Sequence, residues 1–506
     1  MDEKYTIGSQ ENPDVIDDEE IEAHDQSQTR LDEDNTFANG MVDSNSQSQL
    51  QSDLIDSQKV VDYKTWKKNC PILYDYIQTT SLLWPSLTIQ WFPDIDQINS
   101  DIVQQRILTG SYSSGNSKIE SLNVSSIKYL SNPSNVIGIE SHDIIKNEFI
   151  NNQVQDKLDK ISILQKIPHR LEANRARYMP QNPDVIGSIC SDGSVSIYNR
   201  TKHPNSFNEE EEFKLQQERQ SELQSQSQSQ SQTTDSLFNE YDEELASEFC
   251  DIKLRFHRSD GWGISWNQQR EGELITGASD GLIALWDITK LEKNNNNRSS
   301  TSVLHPVTYT TAHDYGVNDL EYLWCHDSII STVGEDGLLK IFDKRQDLKQ
   351  VCNENGNKFE KKSVGINTLS WNKKNEFGIS VGDSNGDLSF YDIRQMSKSI
   401  KDIKAAHDSG ITCLEWNHTN HSVVASGSSD GLVKIWNIKD SKNNESEQGD
   451  INNAFDKDLV FVHGGHMLGV NDLSWNPSDK WCIASCSDDN SVHVWKPAIE
   501  ILKQLK

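Results

Sequence analysis

The amino-acid sequence predicts an all-β fold built from a small antiparallel sheet repeated along the chain, and three regularities predict it. Two aromatic residues stand 20 positions apart in six successive units between residues 178 and 495. A histidine precedes the first aromatic residue by nine positions in five units, and an aspartate precedes the second by six positions in five. Apolar and polar residues alternate between these markers, and turn residues separate the runs, as in short strands.

Each unit contains the side chains needed to link its strands. A histidine, a small hydroxyl residue such as Ser426 or Ser485, an aspartate and an aromatic residue can join strands and turn by hydrogen bonds. Asp-Gly suits the turn because both residues tolerate positive φ, and only Asn490 replaces the glycine. The aromatic pairs are Tyr178 and Tyr198, Trp266 and Trp286, Tyr322 and Phe342, Trp371 and Tyr391, Trp416 and Trp436, and Trp475 and Trp495.

A histidine, a serine and an aspartate also resemble a catalytic triad. A nucleophile needs one activated set in one pocket, whereas five equivalent sets at fixed spacing are what a scaffold needs. Phosphate-cradling glycine loops, metal-ligand clusters and nucleophile elbows are absent from the sequence. We therefore expect no enzyme activity, no cofactor and no metal.

Charge separates three segments from the rest of the chain. The 506 residues include 48 basic and 78 acidic side chains, a net charge of -30. Residues 1–57 hold 16 acids and 2 bases, residues 205–248 hold 12 and 2, and residues 440–458 hold 6 and 2. These segments contain few bulky apolar residues, so we expect a disordered tail and two disordered insertions. The acidic excess argues against a nucleic-acid binder and favours a basic partner such as a histone or ribosomal protein.

The start of the chain lacks the features of a secretory signal, and no run approaches 18 apolar residues. We expect a soluble, intracellular protein. Cys482 and Cys486 are more simply buried thiols than metal ligands, because their spacing in a strand-like run turns both toward one core.

A helix is predicted before the first strand, over residues 58–82. Tyr63, Trp66, Cys70, Leu73 and Ile77 recur at steps of 3 and 4 and form one apolar stripe. Ile72 and Tyr76 lie on a different face, where they could meet a partner's helix. The insertion at 440–459 offers Phe455, Leu459 and Phe461 beside Asp456 and Asp458, an apolar floor with an acidic rim for a basic amphipathic helix.

The unit endings TrpAspIle at 286–288, PheAspLys at 342–344 and TyrAspIle at 391–393 resemble the WD40 repeat family. That resemblance implies a β-propeller of four-stranded blades closed into a ring. Residues 106–129 resemble a divergent seventh blade, and residues 87–92 are expected to complete the last blade. The expected domains are a tail at 1–57, a helix at 58–82 and a seven-bladed propeller at 83–506.

Longer motifs narrow the family. Residues 63–76, 84–91, 174–183 and the HisGlyGlyHis at 463–466 resemble the retinoblastoma-associated histone-binding WD40 proteins. These are shared subunits of chromatin assembly factor 1 and of histone acetyltransferase and deacetylase complexes. Residues 463–472 and 489–497 are most similar to the fungal small subunits of chromatin assembly factor 1, and the type B histone acetyltransferase subunits come next.

The resemblance implies two binding sites. The first holds the first helix of histone H4, and its matching residues are Ile72, Leu73, Tyr76, Asp456, Asp458 and Phe461. The second, on the top face over the channel, receives the histone H3 tail or a basic peptide, and its matching residues are Glu172, Asn174, Arg175, Asp260, Trp262, Asn367 and Asp488. The chain departs from the animal members, which carry acids or an aromatic residue, at Leu83, Asn318, Gly410 and Thr412.

The functional hypothesis is therefore a non-catalytic subunit that binds histones H3 and H4 during replication-coupled nucleosome assembly. Its expected partners are the histones and the larger subunits of chromatin assembly factor 1 or of histone-modifying complexes. Neither sequence-specific nucleic-acid binding nor membrane binding is expected, and the expected location is the nucleus, with some protein in the cytoplasm. The alternatives are a regulatory subunit of a type B histone acetyltransferase and, with less support, a ribosome-assembly chaperone.

Overall fold

A computed structural model describes the chain from Ser44 to Lys503 with gaps. The described ranges are 44–98, 102–117, 119–130, 142–143, 148–149, 161–206, 249–291, 301–351, 364–395, 397–438 and 457–503. The chain divides into two units, Met1–Asp56 and Ser57–Lys506, and the side chains discussed below belong to the second. Most of the predicted tail and of both acidic insertions lies outside the described residues.

Seven sheets form seven blades, each with its strands in order from the channel outward. The first blade contains β2 (Ile89–Gln97), β3 (Ile102–Gly110), β4 (Glu120–Leu130) and β7 (Ser162–His169). The second contains β8 (Ala173–Met179), β9 (Asn182–Cys190), β10 (Val195–Asn199) and β11 (Ile252–Leu254), with β15 (Ser302–Leu304) added parallel to β11. The third contains β12 (Gly261–Trp266), β13 (Glu273–Ala278), β14 (Leu282–Asp287) and β16 (Thr308–Thr311).

The remaining blades follow the same plan. The fourth contains β17 (Val317–Tyr322), β18 (Ile329–Gly334), β19 (Leu339–Asp343) and β20 (Lys349–Gln350). The fifth contains β21 (Ile366–Trp371), β22 (Gly378–Asp383), β23 (Leu388–Asp392) and β24 (Lys401–Ile403). The sixth contains β25 (Ile411–Trp416), β26 (Val423–Ser428), β27 (Val433–Asn437) and β28 (Leu459–His463). The seventh contains β29 (Val470–Trp475), β30 (Ile483–Ser487), β31 (Ser491–Pro497) and β1 (Tyr74–Ser81).

Three further elements lie outside the blades. They are helix α1 (Ser44–Leu73), the hairpin of β5 (His142–Asp143) with β6 (Glu148–Phe149), and the single turn α2 (Ile499–Leu502). None of the helices in the described ranges has the length and apolar composition needed to cross a membrane.

The seven-bladed propeller is confirmed, but two boundaries of the prediction were wrong. The predicted helix ends at Leu73 rather than 82, and it begins at Ser44, inside the segment expected to be a disordered tail. Strand β1 pairs antiparallel with β31, from Tyr74 opposite Pro497 to Ser81 opposite Ser491. This strand closes the ring, so residues 87–92, expected in that role, instead lead into β2, the innermost strand of the first blade.

The predicted hydrogen bonds within each blade are present. In the sixth blade, Trp436 Nε1 donates to Ser426 Oγ at 2.8 Å, His407 Nε2 lies 2.7 Å from the same oxygen, and His407 Nδ1 lies 2.9 Å from Asp430. At the turns, Gly281 has φ 75°, and a Cβ there would stand 2.4 Å from the His313 carbonyl oxygen. Asn490, which replaces glycine in the last unit, also has positive φ, at 63°.

Neighbouring blades are joined by a ring of hydrogen bonds near the ends of the inner strands, which we call the lower belt. In each junction a group of one inner strand accepts an N–H from the aromatic residue of the next. The acceptors are Gln90, Arg177 (backbone), Ser265, Glu321, Ser370, Glu415 and Ser474, and the donors are Tyr178, Trp266, Tyr322, Trp371, Trp416, Trp475 and Trp91. These bonds fix the width of the central channel.

Candidate functional site

Helix α1 is held on the propeller by its apolar stripe. Trp66 is 8% exposed and Cys70 fully buried, and both pack in one core cluster with residues of β1, β28 and β31, while Tyr63 and Leu73 are partly buried against it. Trp66 Nε1 donates to the Tyr74 hydroxyl at 2.7 Å, and that hydroxyl lies 2.8 Å from His463 Nδ1. The predicted stripe is therefore confirmed for α1, whereas Ile77 is buried on β1.

Tyr76 was predicted on a helix face and lies on a strand instead. It is 6% exposed on β1, its hydroxyl donates to Gln78 Oε1 at 2.6 Å, and its ring lies 6.3 Å from that of Tyr129. The prediction failed because residues four positions apart share one face on a helix and also on a strand, so this spacing does not distinguish the two. Tyr76 thus belongs to the core rather than to a surface facing a partner.

The end of α1 leaves an apolar surface uncovered. Ile72 is 67% exposed although it is adjacent to Leu73, which packs on the core. The Leu73 carbonyl oxygen accepts the Ala498 N–H at 2.9 Å, and Asp75 Oδ2 accepts the Ile499 N–H at 3.0 Å. Ile499 is itself 45% exposed. We call the surface formed by Ile72, Leu73, Asp75 and Ile499 the α1 edge.

The loop side of the predicted groove differs from the expectation. Phe461 is 5% exposed on β28, where its ring lies 5.2 Å from that of Tyr74 and 5.6 Å from that of Trp495. Strand alternation turns Phe461 inward, so it supports α1 and β1 from beneath and was wrongly expected at the surface. The Asp458 carboxylate is paired with Lys401 of the fifth blade, and Asp456 lies outside the described residues.

The predicted top-face residues Asn174 and Asn367 form part of a second ring of hydrogen bonds, which we call the upper belt. Asn174 Nδ2 donates to the Gly261 carbonyl oxygen at 2.9 Å, and Asn367 Nδ2 donates to that of Ile411 at 3.0 Å. Three equivalent residues do the same between other blades: Asn318 with Ile366 at 3.0 Å, Thr412 with Val470 at 2.5 Å, and Asn471 with Ser86 at 3.2 Å. Two of the positions that depart from the animal members are therefore used to join blades.

The other predicted top-face residues also have partners within the protein. Asp260 accepts from Asn174 Nδ2 at 2.6 Å and from Trp262 Nε1 at 2.8 Å, and Glu172 accepts from Ser191 at 2.6 Å. Arg175 Nη1 donates to Asp319 at 2.9 Å, with both side chains largely buried. Asp488 accepts from Asn471 at 2.7 Å and is the exposed member of the predicted set.

The histidine, serine and aspartate sets are closed to substrates. Ser188 and Ser426 are fully buried beneath their histidines. Burial lowers the pKa of His169 to about 4 and that of His407 below its ordinary value. A general base needs a pKa near the working pH and contact with a substrate. These sets hold the blades together, as the repetition predicted.

Sequence reasoning missed a buried histidine cluster behind α1. The nitrogens of His463, His466 and His493 lie within 4.8 Å of one another, and in the described ranges no other such group could hold a metal ion. However, His463 Nε2 lies 3.0 Å from His493 Nδ1, and His466 lies 2.8 Å from both Ser485 and Ser491. Burial lowers the pKa of His463 and His493 well below the ordinary value, so both rings are neutral. The cluster extends the hydrogen-bond chain that begins at Trp66. Cys482 and Cys486 are free and buried, as predicted.

Comparison with known proteins identifies the family. Residues 61–131, which cover the end of α1 and the strands β1 to β4, match the family described as histone-binding protein RBBP4 or CAF1C of the CAF1 complex. Residues 303–494 match the N-terminal domain of nucleolar protein 10-like proteins, a β-propeller. Histone-binding protein MSI1 of Saccharomyces cerevisiae is 32% identical over 455 residues, which cover 86% of this chain and 93% of that protein. The chain belongs to the family of histone-binding protein RBBP4 and CAF1C.

Proposed function

We propose that the protein binds histones H3 and H4 and acts, without catalysing a reaction, as a subunit of a nucleosome-assembly complex. The observation that carries the proposal is the α1 edge, where Ile72 is 67% exposed on a helix whose opposite face is locked into the core. A rigid helix with an uncovered apolar residue at its end suits a partner helix. The name and similarity of the yeast relative support a histone as that partner.

The energy of binding would come from apolar burial and from charge. Fully burying a side chain such as Ile72 contributes about 1.5 to 3 kcal/mol. Carboxylates at and near the edge, such as Asp75 and Glu500, can pair with arginine and lysine of a basic helix. Asp458 already pairs with Lys401, so a histone arginine would have to share or displace that contact. The net charge of -30 would favour rapid encounter with a cationic partner.

We assign the first helix of histone H4 to the α1 edge, with Ile72 and Leu73 as its apolar contacts. The H3 tail would lie on the top face, where Asp488 is exposed and Glu172 partly exposed. Since most other top-face residues already bond within the upper belt, we expect the tail to bind more weakly than the helix. The larger subunits of chromatin assembly factor 1, replication-coupled assembly and a nuclear location belong to the same proposal. A type B histone acetyltransferase complex is the alternative setting.

The test is a pull-down of recombinant H3–H4 with the full chain. Ile72→Glu should lower retention of H4 at least about tenfold, because it places a carboxylate where an apolar contact is needed. Ile163→Glu is the matched control, since Ile163 is 57% exposed on β7 and the same charge is introduced there. Both variants should keep the circular dichroism spectrum of the wild type.

The double variant Ile72→Glu plus Leu73→Glu should retain still less H4. Unchanged retention by the double variant would contradict the α1 edge as the histone site. A parallel pull-down with a basic ribosomal protein addresses the ribosome-assembly alternative, because retention of that protein in preference to H3–H4 would favour it.

A further inference from the structure

Among the described residues, one carboxylate of the central channel has no lysine or arginine within ion-pair distance. The channel has a volume of about 450 Å³ and is lined by residues of the seven inner strands. Three of the carboxylates that line it are each paired with a cation: Asp319 with Arg175 at 2.9 Å, Asp472 with Arg177 at 3.0 Å, and Glu321 with Lys373. Glu415 is the fourth.

Glu321 and Glu415 occupy equivalent positions, and the comparison between them shows where a cation would lie. Each is the last residue but one of its inner strand, and each accepts the N–H of the next blade's tryptophan: Trp371 at 2.8 Å and Trp475 at 2.7 Å. The second oxygen of Glu321 binds the ammonium of Lys373, which stands two residues after Trp371. The residue two positions after Trp475 is Pro477, which carries no charge.

The neighbouring histidine does not supply the missing positive charge. His418 Nε2 lies 3.5 Å from Glu415 Oε1, beyond good hydrogen-bond distance. Burial lowers the pKa of His418 to about 4, so the ring is neutral. Burial also raises the pKa of Glu415 to about 7, which shows that the surroundings fail to stabilise its ionised form. A cation that entered would stabilise the carboxylate.

We propose that the channel binds an alkylammonium group at Glu415, in the position that Lys373 occupies at Glu321. The group would enter past Pro93, Pro180 and Trp324, which line the channel at the ends of the inner strands, opposite the upper belt. Its N–H groups would donate to the second oxygen of Glu415. The site is distinct from the α1 edge and the top face, and it does not depend on histone binding there.

Titration calorimetry of the full chain with n-butylammonium tests the proposal, with tetramethylammonium as a ligand of equal charge that lacks N–H donors. We expect binding of n-butylammonium in preference to tetramethylammonium. Glu415→Gln keeps the oxygen that accepts the Trp475 N–H and removes the charge, so it should weaken binding at least about tenfold. Ile72→Glu should bind as the wild type does, which separates this site from the proposed histone contact.

Pro477→Lys provides a second variant, because it would supply an ammonium to Glu415 from within the chain. It should weaken n-butylammonium binding at least about tenfold while leaving Glu415 intact. Equal affinity of the wild type for both ligands, or wild-type affinity in both Glu415→Gln and Pro477→Lys, would overturn the proposal.

A capped Gly-Lys-Gly peptide distinguishes the two sources of the same chemistry. Tighter binding of the peptide than of n-butylammonium would indicate a lysine of a partner protein, and binding of the amine alone would indicate a small free polyamine. Either result supports the ammonium site.

Discussion

The α1 edge and the upper belt differ in what they leave unsatisfied. At the α1 edge, Ile72 is 67% exposed beside a helix face buried to 8% at Trp66. In the upper belt, Asn174 is 2% exposed and both of its donor contacts go to the third blade. A residue whose hydrogen bonds are already made inside the protein gains little from a partner, whereas an exposed apolar residue on a rigid support gains from burial. The side is therefore the stronger candidate for tight binding, and the top is primarily a device that joins blades.

The largest expected effect comes from detaching the side. Trp66→Ala removes a buried ring and the hydrogen bond to Tyr74, so we expect a loss of about 3 to 5 kcal/mol in the free energy of unfolding. Urea denaturation followed by tryptophan fluorescence measures it. Val61→Ala is the matched control on the same helix, since Val61 is 53% exposed, and it should change stability by less than about 0.5 kcal/mol. Equal losses in both variants would contradict the asymmetry of α1.

Acid should weaken the same attachment. Burial holds the pKa of His463 and His493 well below the ordinary value, so below about pH 6.5 the unfolded chain takes up protons that the folded chain refuses. Stability is therefore lost as pH falls, by up to about 1.4 kcal/mol per pH unit for each histidine. Glu415 acts in the opposite direction between about pH 4.3 and 7, because its pKa is raised to about 7 in the folded chain.

Urea denaturation at about pH 7 and about pH 5.5, on either side of the ordinary histidine pKa, measures this dependence. In His493→Gln the slope should be shallower, because one proton-binding group is removed from the unfolded state. A slope as steep as in the wild type would show that other groups cause the acid sensitivity.

Breaking one bond of the upper belt should have a smaller effect. Asn174→Ala leaves the Gly261 carbonyl oxygen and Asp260 without their donor, and we expect a loss of about 1 to 3 kcal/mol. H4 retention should stay at the wild-type level in the pull-down. A loss of H4 without a loss of stability would mean that the top face, rather than the α1 edge, holds the histone helix.

The smallest effect on stability is expected at Leu83, which is 82% exposed. Leu83→Glu should change the free energy of unfolding by less than about 0.5 kcal/mol. It adds a carboxylate where the animal members carry acids or an aromatic residue, so affinity for an H3 tail peptide should rise by at most about fivefold, as expected for an exposed ion pair. Fluorescence polarisation with a labelled peptide measures the change, and a decrease would argue against the tail site.

Local pattern predicted the blades well because each repeat satisfies itself. The 20-residue spacing of Trp416 and Trp436 reflects the inner and third strands of one sheet, and the bonds of His407 and Ser426 lie within that sheet. Nothing distant is needed to specify them.

The errors arose where the partner is distant in the chain. Tyr74–Ser81 forms a strand because β31 lies beside it, and no local pattern shows that pairing. The Asp458 carboxylate is neutralised by Lys401 from another blade, and Phe461 is covered by Tyr74. The uncovered Ile72 was found from the sequence because exposure at the end of a helical stripe is a local property.

The pairing of β1 with β31 has a consequence for synthesis on the ribosome. Asp75 and Ile499, which bond across this junction, are 424 positions apart in the chain. The helix that bears Ile72 leaves the exit tunnel early, with Trp66 and Cys70 still uncovered, and acquires its rigid backing only after the seventh blade has been translated. A nascent chain therefore needs protection from aggregation until then, and competence to hold cargo coincides with completion of the disc.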